Sequence, residues 1–250
     1  MNIISLAPTQ TEILAALGIT PAGVTVDCDF PESVLPLPKF GSWHAPDLHR
    51  IIEAKPDLVC TFGRHQEEIK NTLVEAGLSV YHSDPDSIAA SLKSIQELAH
   101  ITGCGDSGEI LVEQLGLRLN KVRQNLAGLK PQDCPRVLRI MHWEPLITVG
   151  PGSFQHDVIG FAGGLNIMAD GPSPYFVCDP VAVRSRNPDL IFFCEPKILD
   201  SLQEQDGWRM VNALRYARIH VFDCGLTCHS GPRILDMVEQ LAKALHPDRW

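Results

Sequence analysis

Near the end of the chain, Cys224-Gly225-Leu226-Thr227-Cys228-His229 places two thiols and an imidazole within six residues. These are the usual ligand types of zinc, and histidine alone also coordinates cobalt or iron. Cys28, His44, His65 and His142 are available elsewhere to complete such a set. The C-x3-C-H spacing nevertheless lacks the paired C-x2-C repeats of a structural zinc site, and buried free cysteine behaves mostly as a small hydrophobe. No residue is therefore assigned as a ligand of a bare metal ion. A metal-ion or redox protein built on Cys28, Cys224, Cys228 and His229 stands as an alternative. A histidine approaching a metal already held in a macrocycle is a separate reading.

Catalytic patterns are thin. The sequence has no G-x-S-x-G elbow, no P-loop and no G-x-G-x-x-G after a strand. Gly103-Cys104-Gly105-Asp106-Ser107-Gly108 is glycine-rich but follows a predicted helix, which argues against phosphate cradling. Glu67 and Glu68 open a helix, where negative charge meets the positive end of the dipole. Nothing nominates an acid, a base or a nucleophile, so the expectation is a binding protein and not an enzyme.

The elements that must position these groups read as two runs of alternating strand and helix. In the first half, Ile3–Leu6, Gly23–Val26, Leu58–Thr61 and Ser79–His82 read as strands. Helices are predicted over 10–17 with Thr9 as cap, 46–54, 67–76 and 87–102. In the second half Val137–Met141, Leu190–Cys194 and Ile219–Phe222 read as strands, with helices over 154–162, near 206–216 and over 232–245. Between the halves, Leu111, Leu115, Leu119, Val122, Leu126 and Leu129 recur every three or four residues, the period of one helix face. Asp106 or Ser107 can cap that helix, and Gly128 with Pro131 stops it. About 23 residues at 1.5 Å each would span roughly 35 Å. The expected architecture is α/β: two small parallel-sheet lobes joined by a single long helix, with a ligand cleft between them. The predicted divisions are 1–103, 104–130 and 131–250.

In open parallel sheets ligands bind beyond the carboxyl ends of the strands. Those positions nominate Cys28, Asp29, Trp43, His44, Phe62, Arg64 and His65 from the first half. The second half contributes His142, Trp143, Phe154 and Gln155. Tryptophan joins a large apolar face to one hydrogen-bond donor, which suits a flat, partly polar ligand.

Composition bounds the rest. The chain has 250 residues, 44% hydrophobic and 20% charged, and a net charge of −9 without a dense Lys/Arg run, which argues against a nucleic-acid partner. No stretch of eighteen apolar residues occurs, so no membrane insertion is expected. Eight cysteines are scattered through the chain, and Met1-Asn2 leads directly into the first strand. The expected setting is cytoplasmic, with reduced thiols, or periplasmic if the native gene carries a removed signal.

Taken in order, several segments resemble the substrate-binding components of cobalamin, haem and iron-siderophore ABC importers, the class III binding proteins. They are Ile4-Ser5-Leu6-Ala7-Pro8-Thr9-Gln10-Thr11-Glu12, Cys28-Asp29-Phe30-Pro31, Pro46-Asp47-Leu48 and Lys55-Pro56-Asp57-Leu58-Val59. In the second half they are Ala162-Gly163-Gly164-Leu165-Asn166, Asn187-Pro188-Asp189-Leu190-Ile191, Gly231-Pro232-Arg233 and Leu245-His246-Pro247. The Cys-Asp-Phe-Pro segment and the ending are most similar to the cobalamin-binding branch. The resemblance implies a non-catalytic protein that holds cobalamin or a related corrinoid between its lobes. It also implies docking to an ABC permease through acidic residues, Glu67 or Glu68 on the first lobe and Glu204 on the second. Trp43, Phe62, Trp143 and Phe154 would cover the ring, His44, His65 or His142 would approach the cobalt, and Arg64 and Gln155 would meet amides or phosphate. A haem or ferric-siderophore ligand is the nearest alternative. The sequence departs from the pattern at Cys178-Asp179-Pro180, where a capping Ser or Thr and a glutamate are expected.

Overall fold

The computed structural model describes residues 1–250 and divides into two compact units. The first comprises residues 1–85, 89–115 and 229–232, and the second 86–88, 116–228 and 233–250.

The first unit is built on four parallel strands, β1 (Ile3–Ser5), β2 (Gly23–Val24), β3 (Leu58–Phe62) and β4 (Val80–Ser83), in the order β2-β1-β3-β4. Its helices are α1 (Pro8–Ala16), α2 (Leu48–Ala54), α3 (Glu67–Glu75) and most of α4 (Ile88–Ile101). Ile4, Leu6, Ile51, Val59 and Leu73 form a core cluster of this sheet and its helices, each buried side chain contributing roughly 1.5–3 kcal/mol. The predicted strands fall within two residues of these bounds. The start of α1 differs: Pro8 takes the first helical position, Ala7 is the cap residue, and Thr9 lies buried inside the helix. Proline costs nothing there because the first amides of a helix lack partners in any case.

The long amphipathic helix is α5 (Gly105–Asn125), 21 residues, and the boundary between the units falls within it, after Leu115. Leu115, Leu119 and Val122 are buried while Ile110 and Leu117 are exposed, as the spacing required. Asp106 sits in its first turn, where its charge opposes the helix dipole.

The second unit has a six-stranded sheet of β5 (Arg136–His142), β6 (Ile147–Val149), β7 (Leu165–Asn166), β8 (Tyr175–Val177), β9 (Leu190–Phe193) and β10 (Ile219–Val221). The path is β10-β9-β5-β6-β8, with β7 paired to β5. The β10-β9-β5-β7 pairings are parallel, while β5-β6 and β6-β8 are antiparallel. That flank was not foreseen, because strands of two or three residues carry too little periodicity to show. Its helices are α6 (Phe154–Phe161), α7 (Pro180–Ser185), α8 (Lys197–Glu204), α9 (Asn212–Arg215), α10 (Cys224–Cys228) and α11 (Ile234–Leu245). The helix expected near 206–216 is a 3₁₀ turn, Trp208–Met210, followed by α9. Trp208 is fully buried and anchors a core with Leu138, Ile191, Phe193 and Leu202.

Candidate functional site

In the first sheet the chain crosses from β2, on one side of β1, to β3 on the other, so the carboxyl ends of β1 and β3 flank a topological switch point. Two turns build a rim there. Gly41, at φ 81°, starts a tight loop closed by reciprocal hydrogen bonds between Ser42 and Ala45, and a Cβ on Gly41 would stand 2.5 Å from the Ala45 carbonyl. Trp43 and His44 form the tip of that loop. Gly63, at φ 74°, turns β3 into the 3₁₀ turn Arg64–Gln66. The two loops bring Trp43, His44 and His65 together, with ring centroids 4.3, 5.5 and 6.1 Å apart and edges toward faces. Both histidines are exposed and the indole is half-buried.

The residue that fixes this rim is Gln66, which the sequence reading missed. Its side chain is fully buried. Its Oε1 accepts from the Phe62 amide at 2.9 Å, and its Nε2 donates to the carbonyls of Leu6 (2.9 Å) and Trp43 (2.8 Å). One amide thus ties the ends of β1 and β3 to the Trp43 loop, and the Trp43 amide donates in turn to Asp27. A glutamine in a helix-opening Arg-His-Gln-Glu run carries no sequence signal for such a role. Arg64 is exposed and pairs with Asp84 at 3.5 Å, while Phe62 is half-buried at the end of β3.

The other first-unit nominees divide. Asp29 is exposed. Cys28 is buried, with its sulfur 3.2 Å from the Thr11 hydroxyl and 3.3 Å from that of Thr25, and burial pushes its thiol up from the ordinary range. It fills a small polar knot and presents no surface. His229 is held by the Glu12 carboxylate at 2.8 Å. The proposed grouping of Cys28 and His229 with Cys224 and Cys228 is therefore not what forms: Cys224 and Cys228 gather with Cys194 instead.

In the second unit His142 is exposed at the end of β5, and its Nδ1 lies 3.1 Å from the Pro145 carbonyl. Trp143 is half-buried against Trp208, at 5.5 Å between centroids. It also lines a cavity of about 300 Å³ with Leu146, Val177 and Cys178. Phe154 and Gln155, at the start of α6, are 5% and 4% exposed. The Gln155 amide is used internally: Oε1 accepts from the Tyr175 hydroxyl at 3.0 Å and Nε2 donates to the Thr227 carbonyl at 3.3 Å. Little of either side chain remains for a ligand.

The thiol cluster lies at the carboxyl ends of β9 and β10. Contact with Cys224 and Cys228, with Arg139 adding its charge, draws the Cys194 thiol far below the ordinary range and raises the other two.

Glu67 and Glu68 are exposed in the first turn of α3, with Glu67 3.6 Å from Lys70, and Glu204 is exposed at the end of α8. No helix is long and apolar enough to cross a membrane.

Comparison with known proteins gives this geometry a context. The vitamin B12-binding protein of Salmonella paratyphi A is 30% identical over 98% of this chain and 90% of its own length. An uncharacterized ABC transporter substrate-binding lipoprotein of Bacillus subtilis, YvrC, is 28% identical over 100% of this chain and 81% of its own. Among solved structures, the periplasmic vitamin B12 binding protein BtuF of Vibrio cholerae superposes with a TM-score of 0.84 at 26% identity, covering 98% and 96% of the two chains. The periplasmic heme-binding protein RhuT from Roseiflexus sp. RS-1 gives 0.84 at 25%, covering 100% and 99%. Relatives of this kind are substrate-binding proteins and not enzymes. Their descriptions as periplasmic or lipoprotein do not support the cytoplasmic setting expected from the sequence. Since the family model described as "Periplasmic binding protein" matches residues 3–224, the chain belongs to the periplasmic binding protein family.

Proposed function

We propose that this chain is the ligand-binding component of an ABC importer and that its ligand is a corrinoid. The observation that carries the reading is the Trp43, His44 and His65 cluster at the first sheet's switch point. An indole face beside two exposed imidazoles suits a flat macrocycle that is apolar on its faces and carries a ligatable metal at its centre. The kinship with vitamin B12-binding proteins at 26–30% identity supports the choice of a corrinoid. In the second unit, exposed His142 and half-buried Trp143 remain candidates to be tested by substitution. Glu67, Glu68 and Glu204 are the proposed docking points for arginines of a permease.

A haem ligand is the second reading, favoured by the pair of exposed imidazoles and by the likeness to RhuT. Titration of the purified protein with cobalamin and, separately, with haemin distinguishes the two. Submicromolar one-to-one cobalamin binding is expected, and a shifted visible spectrum would identify a protein ligand on the cobalt. Haemin binding without cobalamin binding overturns the ligand and leaves the importer role. Binding of neither overturns the cluster as a macrocycle site.

A further inference from the structure

The sulfurs of Cys194, Cys224 and Cys228 have no task in holding a macrocycle, and their arrangement has its own logic. We propose that these three cysteines form a trithiolate site for one divalent thiophilic cation of the zinc class, with Arg139 as its fixed countercharge.

The sulfurs are separated by 3.3 Å (Cys194 to Cys224), 3.5 Å (Cys224 to Cys228) and 3.9 Å (Cys194 to Cys228). Three sulfurs bound at about 2.3 Å to one tetrahedral ion stand roughly 3.8 Å apart, so the ion enters with shifts of a few tenths of an ångström. Regular elements create the spacing. Cys194 is the residue that follows β9, and Cys224 and Cys228 are the first and last residues of α10, four apart and hence on one face. The sequence spacing alone could not reveal the site, because its third sulfur comes from thirty residues upstream.

Arg139 is the independent observation. It projects from β5 with no exposed surface, and no carboxylate pairs with it. Its Nη1 donates to the Ile140 carbonyl, its Nη2 lies 3.7 Å from the sulfurs of both Cys194 and Cys228, and its Nε has no partner. A buried guanidinium needs an anion, and the sulfurs are the groups that can supply one. Charge then selects the metal. Three thiolates, one guanidinium and one divalent cation sum to zero, whereas a monovalent ion leaves one negative charge and a trivalent ion one positive. Sulfur ligands exclude magnesium and calcium, which require oxygen. Cys224 is exposed, so the ion can enter from solvent and a water can complete its shell. Binding forms three metal–sulfur bonds and releases the remaining thiol protons to solvent.

The test titrates the full chain, reduced and metal-free, with zinc chloride against a chromophoric chelator, and in parallel with cobalt(II) chloride. One equivalent of zinc with a submicromolar Kd is expected, together with an intense thiolate-to-cobalt charge-transfer band and tetrahedral ligand-field bands. Cys224→Ser lies at an exposed position, and its fold is checked by circular dichroism; it should weaken zinc binding by about a hundredfold or more. Cys104→Ser and Cys134→Ser should change nothing. Arg139→Met, which keeps all three sulfurs, should weaken zinc binding by about tenfold or more. Should the Arg139 variant fail to fold, the Cys224 and Cys194 serine variants decide the matter. Three results overturn the proposal: no zinc retained by the wild type, equal retention by Cys224→Ser, or loss of two thiols to a disulfide in air with no metal bound after reduction.

Discussion

Gln66 and Arg139 do corresponding work in the two sheets, and they do it by opposite means. Each lies where the strand order reverses, beside β1 and β3 in the first unit and beside β5 and β9 in the second, and each is fully buried. Gln66 is neutral and spends its amide on three backbone groups. Arg139 is charged, satisfies one carbonyl, and turns its remaining charge on sulfur. The contrast extends outward. Around β1 the contacts are hydroxyl and amide: Thr11 with Ser5 and Cys28, and Gln10 with Ser83. Ion pairs occur in both units, Arg64 with Asp84 and His229 with Glu12 in the first, but the second has three arginines that each grip a carboxylate with two nitrogens: Arg136 on Asp189, Arg186 on Asp170 and Arg118 on Glu239. Neutral networks hold one geometry at any ordinary pH, whereas ionic ones respond to protons and to bound cations. The Gln66 clamp on the rim is thereby indifferent to pH, whereas the arginine–carboxylate pairs of the second unit weaken in acid.

The severest break should come at Gln66. Gln66→Ala removes the side-chain partner of the Phe62 amide and of two carbonyls, one of them fully buried, at a cost of about 3 kcal/mol. Chemical denaturation should show the lower midpoint, and amide exchange should accelerate at Phe62 and around Trp43. An unchanged midpoint would mean that water replaces the side chain and that Gln66 does not preform the rim.

The sequence made the large pattern legible because that pattern rests on periodicity and punctuation. The face of α5 is readable since Leu115, Leu119 and Val122 repeat over about two turns, and β1, β3 and β9 are readable as apolar runs before Gly or Pro. Loop position singles out Trp43, His44 and His65 separately, and the folded chain brings them into a single cluster. Three kinds of information were not legible. The antiparallel flank of β6 and β8 is made of three-residue strands. The Gln66 clamp depends on long-range backbone acceptors. The thiol trio needs Cys194 brought beside α10 by sheet order, whereas the sequence by itself points to Cys28 and His229 as companions of Cys224 and Cys228.

The next effect separates the units by acid. At Asp189 burial would raise the pKa, but hydrogen bonds from Arg136 and Asn212 outweigh it and hold the carboxyl at about 2. The folded value lies below the unfolded one of about 3.9. The stabilisation is therefore complete above about pH 4 and disappears as the pH falls toward 2, a change on the order of 2 kcal/mol. Denaturation midpoints of the wild type should fall across that window, with amide exchange rising first in β5 and β9. Asp189→Asn should start less stable at pH 7 and show a flatter response. If β1 and β3 open together with β5 and β9 as the pH falls, the acid response is not set by the Arg136–Asp189 pair.

The smallest effect in energy is the most informative about ligand binding. Trp43→Ala removes the indole but keeps the backbone contacts that fix its loop, since Asp27 holds the amide and Gln66 the carbonyl. On the proposed reading, cobalamin affinity should fall at least tenfold, about 1.4 kcal/mol, while the melting temperature changes little. Gln155→Ala is the converse. Its amide is committed to Tyr175 and Thr227, so the loss should register in stability and leave affinity unchanged. Isothermal titration of both variants decides between them. If Gln155→Ala weakens binding and Trp43→Ala does not, the ligand is recognised by the second unit, and the aromatic rim of the first is packing without a binding role. A rim preformed by Gln66 and Asp27 predicts the reverse order because it has no reorganisation to complete when the ligand arrives, so the area of the indole counts in full.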